Sequence, residues 1–145
     1  MFLGEYRHTL DEKGRLAIPA KFRPDFERGL VVTRGLEKCL FIFTLHGWEA
    51  YAASLNQLPL DKKRTRTLNR WFSSGGSILV PDGQGRILLP ANLRQYAGLD
   101  GEAVVVGANI RLEVWTPDRW QAILDEAEKE IELIMEELPD LRLSL

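Results

Sequence analysis

The chain has 145 residues, of which 45% are hydrophobic and 28% charged, and its formal net charge is −2. That length supports one substantial core and leaves little room for two independent ones. The balance of apolar and charged residues excludes a disordered or fibrous chain, and no apolar run approaches the roughly 20 residues a membrane-spanning helix needs.

In chain order, Met1-Phe2-Leu3-Gly4 lacks the basic segment and long apolar core of a secretory signal, so a cytoplasmic location is expected. Residues 5–10 alternate weakly and run into Asp11-Glu12-Lys13-Gly14, where Asp opens a β-turn and Gly supplies the positive φ that ends it. Arg15-Leu16-Ala17-Ile18 leaves the turn as a strand. Pro19 suits the first position of a short helix through Arg23, which Pro24 limits to a turn or two. Two β-branched and aromatic runs, 30–33 and 39–43, flank the hairpin-like stretch 34–38. The single cysteine, Cys39, lies in the second run; it cannot form an intrachain disulfide and reads as a strand residue.

Thr44 is the expected N-cap of an amphipathic helix over residues 45–58, and Asp61 that of a second, basic helix through Phe72. Residues 73–77, Ser-Ser-Gly-Gly-Ser, are the most linker-like in the chain. The plan then recurs: strand 77–80, turn 82–85, strand 86–89, a helix from Pro90 ended by Gly98, and a hairpin from runs 103–106 and 110–115. Thr116-Pro117 opens the longest helix, with an apolar stripe from Trp120 to Leu138 and acidic remaining faces. From Asp125 to Asp140 there are eight carboxylates and one lysine.

This recurrence is a duplication written into the residues. At a constant offset of 71, Asp11, Gly14, Arg15, Pro19, Ala20 and Arg23 map onto Asp82, Gly85, Arg86, Pro90, Ala91 and Arg94. With one residue of slippage, Leu40, Thr44, Trp48 and Ala50 map onto Leu112, Thr116, Trp120 and Ala122. The expected organisation is a first unit over 5–47, connecting helices and linker over 48–75, a second unit over 76–119 and an acidic C-terminal helix over 120–145. The two units, each strand, turn, strand, short helix and hairpin, are expected to share one core in an α+β fold.

The inventory for catalysis is thin. His8 and His46 fall on different elements in no nucleophile or metal spacing. Gly83-Gln84-Gly85 lacks the third glycine and the βαβ frame of a dinucleotide site. Asp11 and Asp82 are accounted for by turn chemistry, so no enzyme activity, metal or cofactor is expected. Charge is unevenly spread: residues 1–74 carry 13 Lys and Arg against 8 Asp and Glu, whereas residues 75–145 carry 6 against 13. If the two copies pair about a pseudo-two-fold axis, Arg7, Lys13, Arg15 and Lys21 gather with Arg86 and Arg94. Two readings stay open for Arg15 and Arg86: each folds back onto Asp11 or Asp82 as a surface ion pair, or the group engages phosphates or reads guanine edges, since a guanidinium fork matches O6 and N7. Copy two is the weaker binder, with Gln84 for Lys13 and Asn92 for Lys21.

At Asp11-x-Lys13-Gly14-Arg15 and Asp82-x-x-Gly85-Arg86 the chain resembles the MraZ family of bacterial transcription regulators. The likeness extends to Met1-Phe2-Leu3-Gly4, the block Gly14 to Pro19, residues 94–99 and Glu113-Val114-Trp115. The resemblance implies two AbrB-like swapped-hairpin units in one barrel-like core with flanking helices. It also implies ring-shaped homo-oligomers, nucleoid association, and binding of double-stranded DNA at short direct repeats upstream of the cell-division and cell-wall gene cluster. Carried over by position, Arg15 and Arg86 are the central DNA contacts and Lys13 supports them. A competing class is an AbrB-like antitoxin or protein-interaction scaffold whose basic half docks an acidic partner. A third, a small hydrolase, rests only on scattered His and Asp.

Overall fold

A computed structural model describes residues 1–142. Eight strands and six α-helices alternate along it, confirming the α+β class. The strands are β1 (Glu5–Thr9), β2 (Arg15–Ala17), β3 (Leu30–Arg34), β4 (Leu40–Thr44), β5 (Ser77–Leu79), β6 (Arg86–Leu88), β7 (Glu102–Gly107) and β8 (Leu112–Trp115). The helices are α1 (Arg23–Phe26), α2 (Leu45–Asn56), α3 (Lys63–Ser74), α4 (Ala91–Ala97), α5 (Pro117–Glu137) and α6 (Pro139–Arg142), and a 3-10 turn, Ala20–Phe22, precedes α1.

Six strands form one antiparallel sheet in the order β1-β7-β8-β4-β3-β5, and β2 pairs with β6 as a separate ribbon. The order crosses the duplication. The first strand of copy one joins the hairpin of copy two, and the first strand of copy two joins the hairpin of copy one. Equivalent positions face each other at Leu16↔Ile87 in the ribbon and at Phe41↔Glu113 in the sheet, so an approximate two-fold axis runs through both pairs.

The period-2 alternation of the strands sends two apolar sets to opposite faces. Leu30, Val32, Leu40, Ile42, Ala103, Val105, Leu112 and Val114 pack on one face against Leu16, Ile18, Ile87, Leu89 and Leu93. The other face carries Phe41, Phe43, Val104, Val106 and Trp115 beneath Phe72, Trp48, Tyr51, Trp71, Trp120 and Ile123. The ribbon thus covers one side of the sheet and helices α2, α3 and α5 the other.

Both threonine caps form: Thr44 Oγ1 accepts from Gly47 N at 2.8 Å and Thr116 Oγ1 from Arg119 N at 3.4 Å. Gly98 ends α4 in the left-handed conformation at φ 65°. Asp61 is not a cap. Helix α3 begins at Lys63, and its N-cap Lys62 offers no side-chain hydrogen bond, so a cap-type residue two positions early is left outside the helix. Pro24 stands within the first turn of α1, where its missing N–H costs no hydrogen bond, and so continues the helical stretch begun at Ala20. The linker-like stretch 73–77 shrinks to Gly75 and Gly76, because α3 runs to Ser74 and β5 starts at Ser77. The connection in the second hairpin is longer than its sequence suggests: β7 ends at Gly107 and β8 begins only at Leu112, with Ile110 exposed in the turn.

Candidate nucleic-acid interface

Each copy's Asp-x-x-x-Arg segment folds on itself through backbone chemistry. Asp11 Oδ1 accepts from Lys13 N at 3.0 Å and Arg15 N at 2.9 Å, while Arg15 Nε donates to Asp11 Oδ2 at 2.6 Å. Copy two repeats every bond: Asp82 Oδ1 accepts from Gln84 N and Arg86 N, both at 2.9 Å, and Asp82 Oδ2 from Arg86 Nε at 2.9 Å. The Arg15 N–H, ahead of the other donors, holds the Asp11 carboxyl below the usual carboxylate range, and the Arg86 N–H does the same for Asp82. A short Asp suits this position because its two oxygens reach both the turn amides and the guanidinium four residues on. Exposed ion pairs of this kind add little stability. Their effect here is to aim the guanidinium.

The ribbon brings the two turns together. Leu16 and Ile87 are buried, so Arg15 and Arg86 stand on the opposite, outer face, diagonal to each other across an antiparallel pair. Such diagonal positions lie about 7–8 Å apart. Arg86 Nη1 comes within 3.9 Å of Asp11 Oδ2, linking the copies directly. The ribbon is extended past its strands by Ile18 N donating to Gly85 O at 2.8 Å and Leu89 N to Gly14 O at 3.1 Å. Each guanidinium thus uses Nε on its own aspartate. Lys13 lies exposed in the turn, and Lys21 exposed in the 3-10 turn that follows β2.

Two residues of the expected group lie elsewhere. Arg7 pairs in register with Val104, which belongs to the helix-covered face, whereas its neighbour Tyr6 packs on the ribbon side. The sheet therefore separates Arg7 from the turns. Arg94 is folded inward, donating from Nε to Leu89 O at 3.1 Å with its guanidinium against Gly14. Its repeat mate Arg23 donates to Ile18 O at 3.0 Å and packs against Gly85. Each of these arginines braces the other copy's turn, a role signalled in the sequence only by their identity across the 71-residue offset. Leu88 is the residue the sequence did not single out: it faces Arg15 across the ribbon and is 55% exposed, an apolar contact placed among cations.

His8 and His46 sit on β1 and α2, and among the described residues no group of His, Cys, Asp and Glu could hold a metal ion. Burial, then the charge of Glu113, pushes the Cys39 thiol up to about 12, which leaves it protonated and unreactive. No helix among the described residues is long and apolar enough to cross a membrane.

The chain is similar to known proteins along nearly its whole length. The family described as "MraZ protein, putative antitoxin-like" matches residues 1–71 and 74–138. A protein of Roseiflexus sp. (strain RS-1) is 46% identical over 142 residues, covering 98% of this chain and 99% of its own. One from Moorella thermoacetica is 45% identical over 140 residues, 97% of this chain and 98% of its own. One from Herpetosiphon aurantiacus is 51% identical over 125 residues, 86% of this chain and 87% of its own. All three are named "Transcriptional regulator MraZ".

Proposed function

Since the chain belongs to the MraZ family, whose named relatives are transcriptional regulators, we propose that it regulates transcription by gripping double-stranded DNA with its paired Asp-x-x-x-Arg turns. The observation that carries this reading is the ribbon, which sets Arg15 and Arg86 on one outer face with Lys13 beside them. Guanidinium groups held by Nε present their terminal nitrogens as a fork suited to phosphate or to a guanine edge. Lys21 adds charge at the margin, and Arg7, on the far side of the sheet, has no part in this contact. Copy two contributes less, because Gln84 and Asn92 replace the cations of copy one.

The two units, 5–47 and 76–119, joined by 48–75 and followed by the acidic helix 120–145, are read as AbrB-like swapped hairpins around a barrel-like core. The exchange of β1 and β5 between copies supports that reading. One chain offers few cations, so affinity for DNA is attributed to a ring of copies engaging successive direct repeats, upstream of the cell-division and cell-wall genes, in the cytoplasm at the nucleoid. Linked engagement raises apparent affinity by about 10²–10⁴-fold when repeat spacing matches the pitch of the copies.

The test is fluorescence anisotropy at about 0.15 M salt, where non-specific attraction is weak, on DNA bearing one or several repeats from upstream of the chain's own gene. Arg15→Ala is expected to cost about 1–3 kcal/mol on a single repeat, more on several, and Arg86→Ala less. Unchanged binding by Arg15→Ala would remove the contact site, and equal affinity for one and several repeats would remove the avidity argument.

A further inference from the structure

Each copy sends two side chains to the outer face of the ribbon. Leu16 and Ile87 are buried, so strand alternation leaves Arg15, Ala17, Arg86 and Leu88 outward, with Leu88 opposite Arg15 and Ala17 opposite Arg86. The approximate two-fold axis exchanges these two pairs, which differ in their apolar member: Leu88 is exposed, whereas its repeat mate Ala17 is a half-buried methyl group. The core does not account for Leu88. Ile87 and Leu89 on either side of it are buried and supply the packing, and the outward position of an antiparallel strand is ordinarily polar.

The end of the ribbon that carries Leu88 also carries the stronger charge. Leu89 N donates to Gly14 O at 3.1 Å, tying the end of β6 to the turn that holds exposed Lys13 and Arg15. The other end has Gln84, Arg86 and Ala17. Apolar reach and cationic charge are thus concentrated at one end of a face that is otherwise two-fold.

We infer that this face enters the DNA major groove and that Leu88 packs on the C5 methyl group of a thymine next to the base pair contacted by Arg15. The inference rests on the proposed DNA contact and adds which feature of a base is read. Two strands about 4.8 Å apart, with their side chains, fit a groove about 12 Å wide and not one about 6 Å wide. A leucine against phosphate oxygens would strip water from charge and return no bond, whereas the thymine methyl is the apolar group that the major groove offers. Cross-strand Cβ atoms lie about 4.5–5.5 Å apart and stacked bases about 3.4 Å apart, so Leu88 falls one or two steps from the base under Arg15. Ala17 is too short to make the matching contact at the other end. The ribbon therefore distinguishes the two directions along a duplex, as suits direct repeats, on which every copy lies the same way.

The test is fluorescence anisotropy at about 0.15 M salt on a duplex of the upstream repeats. Each thymine position is replaced in turn, in every repeat, by deoxyuridine, which removes the C5 methyl group and nothing else. For the unsubstituted chain at least one position should weaken binding by about 4-fold or more, the worth of one buried methyl. Leu88→Ala should bind the thymine duplex about 10-fold more weakly and no longer distinguish thymine from deoxyuridine at that position. Leu88→Met, which keeps an apolar side chain of similar volume, should still distinguish them. Thermal melts of both variants should match the unsubstituted chain, since the side chain lies outside the core. Undiminished binding by Leu88→Ala overturns the inference. So does weaker binding by Leu88→Ala with no thymine position sensitive to its methyl, because Leu88 then meets sugar or only holds the ribbon. A methyl effect that survives Leu88→Ala also overturns it, because another residue then reads the methyl. Arg15→Ala separates the two levels: if it binds normally, the proposed contact site and this reading fail together, whereas if it is weakened and Leu88→Ala is not, the Leu88 contact alone fails.

Discussion

Gly14 shows how closely the paired turns are built. Its φ is +85°, and a Cβ there would lie 2.6 Å from the Arg94 guanidinium carbon. A side chain would therefore both strain the backbone and displace the arginine that bonds Leu89 O. Gly14→Ala should lower unfolding free energy by about 1–3 kcal/mol in urea titration, whereas Gly83→Ala, with nothing within 4 Å of its Cβ position, should stay within about 0.5 kcal/mol. Protonation is decided at the same scale. Burial, then the nearby Arg23 charge, holds the His8 imidazole below its usual 6.5. The unfolded chain thus takes up that proton more readily, and His8 lowers stability as pH falls from about 6.5 through its folded-state value. Asp11 and Asp82, shifted the other way relative to their own charge, contribute stability above the unfolded carboxylate value near 3.8 that is lost only as pH falls through their depressed folded values. Urea stability measured from pH 7.5 to 5 should decline, and His8→Gln should flatten the decline.

At the scale of elements, the caps separate helices that hold the sheet from the one that leaves it. Thr44 and Thr116 are repeat mates in one role, and so are Trp48 and Trp120, which both pack on the helix-covered face. Helix α2 buries Leu55 and lays Trp48 and Tyr51 on Phe43, so its first turn is coupled to the core. Thr44→Ala should cost about 1 kcal/mol of global stability. The Thr116 bond is longer, and α5 buries no residue completely, so Thr116→Ala should cost less in the same thermal unfolding experiment. Equal losses would mean that α5 is as tightly coupled to the fold as α2.

For the whole molecule the exchange of β1 and β5 matters most. Cutting between Gly75 and Gly76 leaves each fragment with a hairpin whose added strand is on the other piece and with half of the ribbon. Exposed strand edges invite association, so fragments 1–75 and 76–145 made separately are expected to be insoluble or self-associated. Co-expressed, they should recover as one soluble complex. A dispersed, folded monomer of either fragment by NMR would show that its unit needs no sister.

What the sequence determined by itself was whatever neighbouring residues decide among themselves. The Asp11 and Asp82 turns, the threonine caps, the left-handed Gly98 and the duplication are all set by chemistry spanning a few positions, and each can be read without a partner. Asp61 and the 73–77 stretch misled because a cap or a linker is only an opportunity: packing of Phe72 and Thr65 in α3 fixed where that helix starts and stops. Tertiary structure alone decided that β1 joins the second copy, that Arg7 stands on the far side of the sheet, and that Arg23 and Arg94 brace each other's copies. Those outcomes depend on strand register between residues about 100 positions apart and on the free energy of burying both faces of one sheet, which no local pattern encodes.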